Sequence, residues 1–190
     1  MFENKFRGLT ERNIGLDRTP IRHWVYGEPH IISKKPHIHV GEDGRKVIVD
    51  PNTITAFTGL KDKKGREIYE GDIIRHFEIG YDGTFYEEPD EPYIKECWNV
   101  VVYDNGAFCL SSFSDYCVAY LTEVHQQGID DFEDAFNDAS NRNDFLQKCP
   151  TYKDLYLAEV MGNCFENISL LNNVEELPPY AEKIWKEAQL

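Results

Sequence analysis

Long apolar runs are missing from this 190-residue chain: none reaches the roughly 20 residues that a membrane-crossing helix needs. The start, Met1-Phe2-Glu3-Asn4-Lys5-Phe6-Arg7, has no hydrophobic stretch of the signal-peptide kind, so a cytosolic location is expected. Basic charge is also scarce. Twenty Lys and Arg stand against 34 Asp and Glu, a formal net charge of −14. Such a field repels a phosphate backbone and an anionic bilayer, so neither general nucleic-acid binding nor membrane attachment is expected. The five cysteines (Cys97, Cys109, Cys117, Cys149, Cys164) are odd in number and hold no C-x-x-C pair. They are therefore expected to be small buried apolar residues in a reducing compartment, not a disulfide framework or a zinc site.

Catalytic signatures are equally absent. There is no G-x-S-x-G elbow and no H-E-x-x-H helix. Gly59 and Gly65 are separated by five residues and followed by Arg66-Glu67, whereas a phosphate-binding loop has four residues and then Lys-Ser/Thr. Asn167-Ile168-Ser169 matches a glycosylation acceptor that is inert without export. No cofactor is expected.

What is present is ordinary globular chemistry, 41% apolar and 13% aromatic, arranged in short β-like runs between turn residues. Ile21–Tyr26, His37–Val40, Lys46–Val49, Thr53–Thr58 and Ile73–Phe77 read as strands, with a loop at 59–65. Residues 80–93, rich in Gly, Pro and acids, read as an acidic loop. Asn105-Gly106 between Lys95–Asp104 and Ala107–Phe113 is the favoured pair for a two-residue hairpin. It sets Tyr103 against Phe108 and Val101 against Leu110, with Val102 against Cys109 on the other face. Both faces are apolar enough to predict a central, covered hairpin. Ile129, Phe132, Phe136 and Ala139 recur at helical spacing, giving a helix over about 129–148, before a strand at Leu155–Met161. A C-terminal helix puts Ala181, Ile184, Trp185 and Ala188 on one face.

Four candidate features follow. Asp62-Lys63-Lys64-Gly65 has the residues of a type I turn, Asp first and Gly last. Lys61, Lys63, Lys64 and Arg66 form the densest basic cluster, able to face a partner or simply water. His37 and His39, two apart on a strand, share a face and are the nearest approach to a metal pair, but no third ligand stands at a diagnostic spacing. Trp185 on the tail helix is a candidate contact residue. Structural roles are expected for Gly59, Gly65, Gly71, Asn105 and Gly106, and for Asp72, whose carboxylate is placed to accept backbone N–H groups where a strand begins.

Three blocks stand out beyond their local chemistry. They are Lys5-Phe6-Arg7-Gly8 with Trp24-Val25-Tyr26-Gly27, the long run from Phe57-Thr58-Gly59-Leu60 to Glu70-Gly71-Asp72-Ile73-Ile74, and Glu159-Val160-Met161-Gly162-Asn163 continuing through Phe165-Glu166-Asn167. In this order and spacing the chain resembles the YopX family of phage and prophage proteins. The resemblance implies a β-rich fold around a small SH3-like barrel, and it carries over no reaction or catalytic residue. The expected architecture is mainly β. It has an N-terminal β subdomain over 1–70, a small barrel over 71–172 interrupted by the helix, and a C-terminal helix over 173–190. The leading functional expectation is a non-enzymatic accessory protein working through protein contacts, its own copies or a host or phage protein. Two alternatives stay open: an acidic DNA mimic that occupies a basic host protein, and a small metal-dependent enzyme using the early histidines.

Overall fold

A computed structural model describes residues 5–13, 20–32, 35–40, 45–82, 91–104, 106–111, 113–122, 126–139, 142–143, 157–167 and 169–170. The expected C-terminal helix with Trp185, and Asn105, lie outside the described residues. The chain forms two units, Met1–Leu60 with Glu67–Gly71 and Lys61–Arg66 with Asp72–Leu190. No helix among the described residues is long and apolar enough to cross a membrane.

The first unit holds a six-stranded sheet built from β1 (Phe6–Asn13), β2 (Pro20–Ile32), β3 (Lys35–Val40), β4 (Arg45–Ile48), β5 (Thr55–Lys61) and β6 (Glu67–Tyr69), in the order β4-β3-β2-β1-β5-β6. Val25, Ile38 and Val49 form its core, with Phe6, Val47 and Ile54 packed against them. Strand β1 escapes a pattern search because Arg7, Gly8, Leu9 and Thr10 are all buried, so no polar–apolar alternation appears. Gly8 packs closely: a β-carbon there would stand 3.0 Å from the Val49 side chain, which would have to shift by a few tenths of an ångström. A short turn at Pro51–Thr53, capped by Asp50, is held to β1 by the Leu9 amide donating to Thr53 Oγ1 at 2.8 Å.

In the second unit β7 (Asp72–Asp82), β8 (Glu91–Asp104), β9 (Ala107–Leu110), β10 (Phe113–Cys117) and β11 (Glu159–Asn163) form a five-stranded sheet in the order β10-β9-β8-β7-β11. Among the described residues both sheets are open, so the expected SH3-like barrel is replaced by two antiparallel sheets. Residues 80–82 and 91–93, expected in an acidic loop over 80–93, belong to β7 and β8, and 83–90 lie outside the described residues. Strands β7 and β8 stay in register through Gly80↔Tyr93, Tyr81↔Pro92 and Asp82↔Glu91, because cross-strand pairing overrides the local Gly and Pro signals. Similarly, β5 runs through Gly59, which the sequence suggests as loop, with a positive φ of 84° absorbing the irregularity.

The 104–107 hairpin has the expected register, Val101↔Leu110, Val102↔Cys109 and Tyr103↔Phe108. Its base is buried at Val101, Val102, Cys109 and Leu110, but its tip is not covered, since Tyr103 is exposed. Helix α1 (Gln126–Asp138) begins earlier than expected; its Phe132, Ala135 and Phe136, followed by Ala139, pack on Ile79 of β7 and Ile94 of β8. Asp130, Glu133, Asp134 and Asp138 face solvent, the amphipathic division that makes the segment a helix.

Gly106 has a φ of +89° and open space beside its α-carbon, so substitution there tests backbone conformation alone. Gly106→Val is expected to lower the unfolding free energy by about 1–3 kcal/mol in a denaturant titration. An unchanged midpoint contradicts the hairpin.

Candidate functional site

The loop at 61–66 folds around one carboxylate. Gly65 N–H donates to the Asp62 carbonyl at 2.9 Å, closing the turn, and Asp62 N–H donates to the Arg66 carbonyl at 2.8 Å. Asp62 Oδ1 accepts the amides of Lys64 at 2.8 Å and Arg66 at 2.9 Å. Oδ2 accepts Arg66 Nε at 2.8 Å and the Val160 amide of β11 at 3.0 Å. Burial works to raise the Asp62 pKa, but these bonds outweigh it and hold the carboxyl below the usual range. Lys63 N–H donates to the Ala158 carbonyl at 3.0 Å, so the loop also grips the residue that precedes β11.

The next residue, Glu159, gathers the cations. Its side chain is 8% exposed, and Lys64, Lys63 (3.4 Å), Arg75 (3.4 Å) and Arg66 (3.8 Å) converge on it. The Lys64 ammonium contributes most to holding the Glu159 pKa at about 2. Three of the four cations suggested by the sequence as a partner-binding patch are therefore engaged on internal carboxylates. Lys61 is exposed and makes none of these contacts.

A second constellation lies on β7 and β8. His76 stands directly opposite Cys97, and Glu78 follows His76 on the same face of the ladder. His76 Nε2 is 2.8 Å from Glu78 Oε1, and one donor atom from each of His76, Glu78 and Cys97 lies within 4.8 Å of the other two. The bond from His76 lowers the Glu78 pKa, while burial pushes the Cys97 thiol up to about 12. A thiol so placed is a poor nucleophile. His76 is 1% exposed, and its Nδ1, like Oδ1 of the buried Asn99, has no partner among the described residues. The His76-x-Glu78 alternation is a readable signal, but Cys97 joins it only through the register of β7 and β8.

The early histidines lie on β2 and β3. His37 and His39 are alternate residues of β3, opposite His30 and Glu28 of β2. His37 Nδ1 lies 2.9 Å from the Lys35 carbonyl, and among the described residues His37 belongs to no group of three ligands. Asp72 is buried at the start of β7, and Gly65 and Gly71 have positive φ.

In the first unit, Arg7 lies over the Trp24 ring at 4.5 Å and the Tyr69 ring at 4.7 Å, with Nε donating to Thr55 Oγ1 at 3.1 Å and Nη2 to the Glu70 carbonyl at 3.2 Å. Tyr69 donates to Glu67 Oε2 at 2.8 Å, and Lys5 reaches the same carboxylate at 2.6 Å. Burial, with that carboxylate beside it, raises the Tyr69 hydroxyl pKa.

Because Glu159 has a depressed pKa in the folded chain, its contribution to stability is complete above the ordinary range near 4.5 and disappears as pH falls toward about 2. Glu159→Gln is expected to lose about 1–3 kcal/mol at neutral pH, less than a fully buried pair because Lys64 and Arg66 reach solvent. Its stability should also fall less steeply than wild type between about pH 5 and pH 2, as measured by denaturant titration at several pH values. Parallel profiles for the two proteins contradict this assignment.

A family model described as YopX protein matches residues 26–172, which takes in the 57–74 and 159–167 blocks together with the His76, Glu78 and Cys97 constellation. No curated protein matches the chain. With most of its length covered, the chain belongs to the YopX protein family.

Proposed function

We propose that this chain is a non-catalytic phage or prophage accessory protein of the cytosol that acts through protein contacts, first of all with its own copies. The observation that carries this reading is the set of large apolar side chains left on the surface of both sheets: Tyr103 is 57% exposed, Ile48 52%, Tyr26 44% and Tyr93 39%. Tyrosine supplies contact area at low entropic cost, and exposed aromatic and aliphatic positions on strands suit association better than chemistry. The groups that chemistry would need are committed elsewhere. Lys63, Lys64 and Arg66 serve Glu159 and Asp62, and Cys97, Cys109 and Cys164 are buried. Occupied cations also weigh against general nucleic-acid binding, in keeping with the −14 charge.

Self-association is tested by light scattering across a wide concentration range. The wild-type mass is expected to rise above the 22.1 kDa of one chain, and Tyr103→Ser or Ile48→Ser to move it back toward that value. A single 22.1 kDa species at every concentration contradicts the reading.

A further inference from the structure

We propose that the β7–β8 pair carries a site for a thiophilic divalent metal ion of the zinc class, with Cys97 Sγ, His76 Nε2 and a Glu78 carboxylate oxygen as its protein ligands. The backbone sets up the site. Directly opposed residues of an antiparallel pair project to one face with β-carbons about 4.5–5.5 Å apart, so the His76↔Cys97 pairing brings imidazole and thiol together without a loop. Glu78 adds an oxygen from the same face, 2.8 Å from His76 Nε2, and one donor atom from each of the three residues already lies within 4.8 Å of the other two. In a tetrahedral site with metal–ligand lengths of about 2.0–2.3 Å, donors stand about 3.3–3.8 Å apart. Side-chain rotation of the three residues covers that difference.

The donor set selects the ion. One sulfur, one nitrogen and one carboxylate oxygen fit a borderline-soft ion; calcium and magnesium require shells of oxygen. A thiolate and a carboxylate also cancel a 2+ charge, so the occupied site is neutral, which a buried site requires. Cys97 and His76 are buried while the Glu78 side chain is 24% exposed, so the ion enters from the Glu78 side.

Two orphaned atoms point to the same ligand. A carboxylate only accepts, so without metal His76 Nε2 carries the hydrogen toward Glu78, and in the neutral ring the buried Nδ1 is a bare lone pair. Asn99 Oδ1, on the diagonal neighbour of His76 across the ladder, is a buried acceptor without a partner among the described residues. Metal at Nε2 moves the ring hydrogen to Nδ1 and turns that buried lone pair into a donor, while the Cys97 thiol proton passes to solvent. The imidazole stays neutral, and an outer partner for the ring N–H is the usual support of a metal-bound histidine. A purely structural His76–Glu78 hydrogen bond leaves the buried Nδ1 without a partner among the described residues.

Cobalt(II) titration of the reduced, chelator-treated full chain tests this. The expected result is one equivalent bound with a thiolate-to-cobalt charge-transfer band, displaced by zinc. Glu78→Gln, at a partly exposed position, should weaken binding at least about tenfold. Cys97→Ser should remove the band, and Cys109→Ser should keep it. Absence of the band in wild type, a band that survives Cys97→Ser, cobalt bound without a thiolate band, or unchanged affinity in Glu78→Gln would each overturn the proposal.

Discussion

Three backbone amides and one guanidinium meet on the carboxylate of Asp62, and the polar structure around it depends on that meeting. A short loop carrying Lys61, Lys63, Lys64 and Arg66 would by its charge spread into solvent. Two of its own amides donating to a buried acceptor close it instead, and the Val160 amide fixes where β11 begins. With β11 placed, Glu159 falls under Lys63, Lys64, Arg66 and Arg75, and its burial is compensated by cations that the loop itself supplies. The order of cause runs from Asp62 to the loop, from the loop to the strand, and from the strand to the ion cluster.

The first unit repeats this logic with a cation at the centre. Arg7 is buried between Trp24 and Tyr69, its guanidinium satisfied by Thr55 and the Glu70 carbonyl, while Lys5, Glu67 and Tyr69 form a chain of charge-assisted bonds. The third block is equally structural. Asn163 Oδ1 accepts the amides of Phe165 and Glu166, and a β-carbon at Gly162 would stand 2.5 Å from Asn167 Oδ1. The residues of these three blocks thus largely build the two polar clusters.

How much the sequence discloses follows from the range of the interactions. The Asp62–Gly65 turn, the hairpin register about Gly106 and the apolar face of α1 are local or governed by a single periodicity, and they are legible. Strand β1 is not, because Arg7 and Thr10 are buried beside Leu9 and break the alternation. The barrel implied by the family resemblance fails because closure is a property of many pairings at once. The ion pairing of the basic cluster is not legible for a related reason: its counter-charge, Glu159, lies 95 residues from Lys64. His37 and His39 attract notice by spacing, whereas His76 and Cys97 meet through strand register, which spacing does not encode.

The central claim is that the Asp62 carboxylate organises the loop and β11 rather than serving a ligand. Equilibrium denaturation of Asp62→Asn tests it most directly, since the substitution keeps shape, removes the charge and can turn an amide donor toward the Val160 N–H. The account predicts a loss of about 2–4 kcal/mol relative to wild type, from several charge-assisted bonds broken at a buried site. An unchanged unfolding free energy would contradict it.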